Sequence, residues 1–349
     1  MSYAVIQGDA RHLPLADESV QCVVTSPPYF GLRDYGVDGQ IGLEPHPSEF
    51  VAALVSVFDE VRRVLHPTGT LWVNLGDSYA GSGRGPQGEN GIGDHTRRQG
   101  WSKAPRQMGA LTGRKISGHQ GATSNLAFDG LKPKDLMLMP ERFAIAMQDA
   151  GWWVRSRIAW CKRSAMPESV KDRPHNAWEH IWLFTKSRTY YYDAESVRQP
   201  QTGGTHKRGN AIGSPKVTAP GQGIKNNGSF IAAMRGDAPA DGLAQLRNYW
   251  LLTMEPNADP HYACFPSEIP KRCILAGSRP GDVVLDPFLG SGTTALVADR
   301  LGRHGVGVEL SPTYAAMASR RLRMDAPMLN VLAAPSARTP EQLPLTEAR

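Results

Sequence analysis

Cysteine is scarce in this 349-residue chain. The four that occur, Cys22, Cys161, Cys264 and Cys273, show no C-x-x-C spacing. That indicates neither a disulfide scaffold nor a cysteine-based zinc site, and it suits a reducing cytoplasm. Long apolar runs are missing too, since none approaches the ~18–20 residues of a membrane span. Met1–Val5 has no charged segment leading into an apolar stretch, so an export signal is not expected. Nor is one sign of charge dominant. The chain has 39 Lys and Arg against 33 Asp and Glu, a net charge of +6, which permits nucleic-acid binding without demanding it. With 40% hydrophobic and 21% charged residues, a wholly disordered chain is excluded. The length fits two domains or one large α/β domain carrying inserts.

What is plentiful is glycine, and it is unevenly spread. Ala80–Leu131 carries 12 glycines, and Arg198–Asn248 is similarly rich. Structureless stretches this long are rare in compact domains and are usually functional or disordered. They also hold the positive charge. Residues 80–131 have seven basic and three acidic residues, and residues 198–248 have seven and two. The remaining core is therefore slightly acidic, at −3. The tail, residues 326–349, has the proline content of a weakly ordered segment.

Between these stretches the pattern alternates strand and helix. Strands are expected at Ala4–Ile6, Val20–Thr25, Thr70–Leu75, Val154–Trp160, His180–Thr185, Asp282–Leu285 and Val306–Glu309. Helices are expected at Phe50–Leu65, ending at His66-Pro67, and at Pro140–Gly151, Glu268–Ala276, Thr293–Leu301 and Pro312–Arg323. This alternation implies a mostly parallel sheet covered on both faces.

Two segments carry chemistry. The first, Val283–Thr294 (VVLDPFLGSGTT), reads as a strand, a glycine turn and a helix start. Gly290 and Gly292 let a ligand approach the backbone, and the helix start favours an anionic group. The next strand ends at Glu309, an acidic residue placed to accept hydrogen bonds from ribose hydroxyls. The third glycine of a dinucleotide fingerprint is absent, because Ala295 and Leu296 follow Thr294. That counts against a nicotinamide oxidoreductase. The second segment is Thr25-Ser26-Pro27-Pro28-Tyr29, after an N-terminal strand. Two prolines hold Ser26 extended and offer carbonyls without N–H groups. A rigid strand end with a hydroxyl, carbonyl acceptors and an aromatic ring suits gripping an exocyclic amine on a flat base. Each segment alone could equally be a connecting turn.

Together, Ser-Pro-Pro-Tyr and Asp-Pro-Phe-Leu-Gly-Ser-Gly-Thr-Thr resemble the amino-directed DNA methyltransferases, in the permuted order of their beta class. Gly8-Asp9, Leu71–Asp77, Ile158–Lys162, Glu179-His180, Phe184–Lys186 and His261–Pro266 are similar to further segments of that family. The resemblance implies a Rossmann-like α/β fold with a seven-stranded, mostly parallel sheet and one antiparallel strand. It implies S-adenosyl-L-methionine as cofactor and no metal. It assigns Ser26, Pro27, Pro28 and Tyr29 to catalysis, with Ser26 and the Pro27 carbonyl gripping the amine and Tyr29 stacking on the base. Gly290, Ser291, Gly292 and Thr293 go to the methionine end of the cofactor, Glu309 to its ribose and Asp9 to its adenine. Phe265 and Phe288 line its apolar part, and Asp286 supports the loop or the cofactor amine.

The implied organisation is a catalytic half (1–79), a basic insert (80–131), a target-base pocket wall (132–197), a target-recognition region (198–248) and a cofactor half (249–325). The partner is double-stranded DNA, with Arg97, Arg98, Arg106, Arg114, Lys207 and Arg208 as candidate contacts. A restriction endonuclease is a possible companion. The target base must leave the duplex to be reached. Carbon-5 cytosine methylation, which needs a cysteine nucleophile usually preceded by proline, is disfavoured because no Pro-Cys dipeptide occurs. Serine at the head of the motif points to cytosine N4, with adenine N6 as the alternative. An RNA methyltransferase and a non-catalytic DNA-binding protein are the more distant readings.

Overall fold

The computed structural model describes residues 3–80, 130–200, 243–254 and 265–325. The chain divides into two units, Met1–Tyr192 with Asn248–Arg349, and Asp193–Arg247. In the second unit, two short strands, Gln199–Pro200 and Leu243–Ala244, pair antiparallel. Arg198 donates from Nη2 to the Leu243 carbonyl at 2.8 Å beside that pair.

The first unit is built on one sheet. Its strands are β1 (Tyr3–Gln7), β2 (Val20–Thr25), β3 (Leu65–Leu75), β4 (Trp153–Lys162) and β5 (Trp178–Thr185). With the short pair of the second unit counted as β6 and β7, the series continues with β8 (Tyr249–Leu252), β9 (Val283–Asp286) and β10 (His304–Glu309). The order across the sheet is β1-β10-β9-β2-β3-β5-β4-β8. Pairing is parallel except on the two sides of β5. One antiparallel strand was expected and is present. The sheet has eight strands rather than seven, because Tyr249–Leu252 adds an edge strand beyond β4. Its sequence Tyr-Trp-Leu-Leu lacks the alternation that would mark it.

Helix α1 (Pro47–Val64) opens with a proline in its first turn and buries Phe50, Leu54, Val57, Phe58 and Val61 along one face. It ends at Val64, and Pro67 lies inside β3. Between Val20↔Leu65 and Cys22↔Thr70 the pairing of β2 with β3 shifts register. Such an irregularity tolerates a proline, which cannot donate to the ladder. Helix α2 (Met139–Asp149) is not capped by its own neighbour. Asp77, beyond the end of β3, accepts from the Leu138 and Met139 amides, each at 3.1 Å. The remaining helices are α3 (Glu268–Gly277), α4 (Thr293–Arg300) and α5 (Pro312–Asp325). No helix among the described residues is long and apolar enough to cross a membrane.

The connections set the position of the site. From β2 the chain passes through α1 to β3 on one side, and from β9 through α4 to β10 on the other. β2 and β9 are neighbours. Their C-terminal ends therefore mark the point where the winding reverses, which is where open α/β sheets bind ligands.

Candidate active site

A cleft of about 310 Å3 opens at this reversal point, at the lower end of the ~300–1,000 Å3 range of small-molecule sites. Asp9, Ser26, Tyr29, Phe288, Gly290 and Glu309 all contribute to its wall. The two sequence segments, more than 250 residues apart, thus meet in one cavity.

At the glycine turn, Gly290 (φ +53) and Gly292 (φ +84) adopt left-handed backbone that favours glycine. Gly292 is the N-cap of α4 and has no side-chain cap. Glu309, at the end of β10, braces the turn. Its Oε2 accepts from the Gly290 amide and its Oε1 from the Ser311 amide, both at 2.8 Å. Burial raises its carboxyl pKa, against the pull of those two amides. Asp286 is 3% exposed. It accepts from Thr25 Oγ1 at 2.6 Å, Thr294 Oγ1 at 2.8 Å and the Phe288 amide at 3.0 Å. Burial pushes its carboxyl pKa up to about 6, although all three donors pull the other way. Asp9 is gripped by Arg11, whose Nε reaches Oδ1 at 3.0 Å and whose Nη2 reaches Oδ2 at 2.5 Å. That grip holds its pKa below the ordinary carboxylate value.

At the Ser-Pro-Pro-Tyr segment, Ser26 Oγ lies 3.4 Å from Asn74 Oδ1 at the end of β3. Tyr29 donates to Glu179 Oε2 at 2.7 Å, and its oxygen lies 3.2 Å from the same Asn74 oxygen. Asn74 Nδ2 donates to Glu179 Oε2 at 3.1 Å and to the His180 carbonyl at 3.0 Å. Both amide protons are thereby used, which fixes the amide oxygen toward Ser26 and Tyr29. Glu179 Oε1 is paired with Lys162 Nζ from the adjacent β4. Burial, followed by the Glu179 charge, drives the Tyr29 pKa well above that of a free phenol. Gly76 lies against the tyrosine ring, where a Cβ would come within 2.5 Å of Cε2.

Residues 20–320 match the family model described as DNA methylase, that of the N6/N4 methyltransferases. The chain belongs to this family. It is 40% identical over 323 residues to the type II methyltransferase M.Cfr9I of Citrobacter freundii, covering 91% of this chain and 87% of that one. It is 39% identical to M.SmaI of Serratia marcescens, over 92% and 91% of the two chains. Among solved structures, the PvuII DNA methyltransferase (cytosine-N4-specific) shares the fold with a TM-score of 0.56 at 19% identity, covering 92% and 86%. A Thermus thermophilus protein, a putative DNA modification methylase solved with S-adenosyl-L-methionine, shares it at 0.52 and 23%, covering 93% and 95%.

In this methylase the cleft gathers Asp9, Ser26, Pro27, Pro28, Tyr29, Phe265, Asp286, Phe288, Gly290, Ser291, Thr293 and Glu309. Gly292 is the exception. It does not line the cleft, and a Cβ there would meet Ala318 of α5 at 3.2 Å. Its role is to let the turn pack on that helix. Arg97, Arg98, Arg106, Arg114, Lys207 and Arg208 lie outside the described residues. Several working residues carried no individual signal in the sequence. Arg321 of α5 donates from Nη1 to Ser291 Oγ at 3.0 Å, the Ser291 carbonyl at 3.1 Å and Thr293 Oγ1 at 2.9 Å. Arg11, Asn74, Lys162 and Glu179 also act through partners that only the fold reveals.

Proposed function

We propose that this methylase transfers the methyl group of S-adenosyl-L-methionine to the exocyclic N4 amine of a cytosine flipped out of double-stranded DNA, at a specific site. The observation that carries the reading is Ser26, which heads the Ser-Pro-Pro-Tyr segment and stands in the same cleft as the glycine turn and Glu309. Its proton is directed at Asn74 Oδ1, so its lone pairs are left to accept from an amine. Pro27 adds a second acceptor, its carbonyl, at a position that has no N–H of its own.

The cleft suits the cofactor chemically. Carboxylates at Asp9 and Glu309 match the hydroxyls and amine of a nucleoside, Phe265 and Phe288 match its apolar faces, and the turn at Ser291–Thr293 matches an amino-acid end. When bound, S-adenosyl-L-methionine supplies an already activated methyl group. The residues of the chain then have to hold the amine at near-attack distance and direction; such positioning contributes on the order of 7–11 kcal/mol. The basic stretches 80–131 and 198–248 supply phosphate contacts in this reading, with Arg97, Arg98, Arg106, Arg114, Lys207 and Arg208 foremost. The similarity to type II methyltransferases supports a restriction–modification setting, in which an endonuclease would share the recognition site.

The test is to digest DNA from cells expressing the protein and to separate the nucleosides. N4-methylcytosine is expected. N6-methyladenine without N4-methylcytosine would overturn the assignment of the base and leave the family standing.

A further inference from the structure

Addition of a methyl group leaves the exocyclic nitrogen with one proton too many, and Ser26 has no basic pair to keep it at neutral pH. We infer that Glu179 is the proton acceptor of the reaction, reached through the Ser26 and Tyr29 hydroxyls. The inference rests on the proposed transfer to an exocyclic amine and deepens it.

The geometry is a short chain of oxygens. Ser26 and Tyr29 converge on Asn74 Oδ1, at 3.4 and 3.2 Å. The shared acceptor draws the two hydroxyls to one atom, so that the Ser26 hydroxyl can turn from Asn74 toward the Tyr29 oxygen as it takes up a proton. Tyr29 donates to Glu179 Oε2 at 2.7 Å. Asn74 takes no proton itself, since a neutral amide is not a base at neutral pH. It holds the two hydroxyls in register and donates to the same Glu179 oxygen at 3.1 Å. Lys162, from β4, fixes the carboxylate through its other oxygen. Among the described residues, the charged or titratable groups bonded to Glu179 are Lys162 and Tyr29, while β3 presents the neutral Asn74. A carboxylate set 16% exposed at the floor of the target pocket, with one lone pair aimed at a phenol, has no need to exist for stacking or for amine grip.

The balance is simple. One N–H bond of the methylated amine breaks and leaves its electron pair on nitrogen. Ser26 Oγ takes that proton while its own swings from Asn74 Oδ1 to the Tyr29 oxygen, and Tyr29 passes its own to Glu179 Oε2. The net change is one N–H bond lost and one carboxyl O–H bond gained. Both hydroxyls are regenerated, and Glu179 returns its proton to solvent as the site opens.

Glu179→Gln keeps the shape and removes the base. Loss of general-base assistance should lower single-turnover kcat by roughly 10²–10⁴-fold, with the KM for cofactor and the affinity for DNA within about twofold. A readout without turnover is the titration of Tyr29 followed by tyrosine ring-carbon NMR, the resonance being assigned by its loss in Tyr29→Phe. Removal of the carboxylate charge should shift that titration to lower pH. Tyr29→Phe, which cuts the relay and leaves Glu179 in place, should reproduce the loss of kcat, and it decides the matter if Glu179→Gln fails to fold. An unchanged kcat would overturn the inference, as would a rise in KM at constant kcat, which would mark Glu179 as a base-binding group. The nucleoside product is identified in the wild-type reactions. N6-methyladenine there would overturn the cytosine assignment, while the relay would still stand or fall on the split between kcat and KM and on the Tyr29 titration.

Discussion

Thr25 and Asp286 stand 261 positions apart in the chain, yet the threonine hydroxyl donates to the aspartate at 2.6 Å in the buried floor of the cleft. Thr25 ends the strand that presents Ser-Pro-Pro-Tyr, and Asp286 ends the strand that presents the glycine turn. Thr294, at the start of α4, donates to the other carboxylate oxygen at 2.8 Å. One carboxylate thus ties the strand before Ser-Pro-Pro-Tyr to the strand and helix on either side of the glycine turn. In a permuted chain no local sequence connection does this, and the side chains have to.

That tie is pH-sensitive. Burial raises the Asp286 pKa from an ordinary 3.8 to about 6. The folded protein therefore binds this proton more tightly than the unfolded chain does. Stability from this group is fully present below about pH 4 and is lost as pH rises through about 6, by roughly 3 kcal/mol. Asp286→Asn removes the titration. The stability of the variant relative to wild type should increase by about that amount between pH 4 and pH 7.5, as read by urea unfolding at each pH. Parallel pH dependences would show that Asp286 does not titrate in this window.

Arg321 reaches the glycine turn from α5, making three hydrogen bonds from one nitrogen to Ser291 and Thr293. Arg321→Ala should loosen the turn and weaken S-adenosyl-L-methionine binding by about tenfold or more, the effect of losing one or two charge-assisted hydrogen bonds. Affinity for DNA should be unchanged. Calorimetric titration of each ligand separates the two, and equal cofactor affinity in variant and wild type would remove Arg321 from the site.

Much of this arrangement is legible in the sequence. The apolar spacing of Phe50, Leu54, Phe58 and Val61 marks α1 unaided, and the glycine turn and the proline pair announce the two sides of the cleft. What escapes has physical reasons. The run His66-Pro67-Thr68-Gly69 reads as a break, whereas a register shift lets β3 pass through it. The edge strand β8 has no polar alternation because each of its four residues is apolar or aromatic. The roles of Asn74, Lys162 and Glu179 depend on three neighbouring strands whose order, β3-β5-β4, no local pattern encodes. The part played by Gly292 is concealed for the opposite reason. It sits in the cofactor segment by sequence, but its α-carbon faces a helix.

Gly281 and Gly292 give a matched comparison of that point. Both have left-handed backbone, at φ +87 and +84, but a Cβ on Gly281 meets open space whereas one on Gly292 meets Ala318 at 3.2 Å. Gly281→Ala should lower stability by the ~1–2 kcal/mol of left-handed strain alone and leave cofactor affinity unchanged. Gly292→Ala should lose more stability and also displace the turn from α5, weakening cofactor binding. Thermal unfolding and cofactor calorimetry on both variants decide it. Equal effects on cofactor affinity would mean that packing of the turn on α5 does not shape the site.

Gly76 tests the catalytic side in the same way. It follows β3, and a Cβ there would fall 2.5 Å from Tyr29 Cε2 and 3.0 Å from Cδ2. Contact that close is impossible, so in Gly76→Ala either the ring or the strand end must move. The ring is held at its far end by Glu179 and Asn74, so displacing it breaks the alignment of Tyr29 with Ser26. Misplacement on the order of 1 Å in a positioned site lowers rates by about 10²-fold. Gly76→Ala should therefore reduce kcat by about that factor and leave S-adenosyl-L-methionine affinity intact, since Gly76 follows β3, two strands away from β9 and its glycine turn. Rapid-quench measurement of a single turnover, paired with cofactor titration, reads both. A variant with wild-type kcat would show that the position of the Tyr29 ring is not part of the rate-determining alignment.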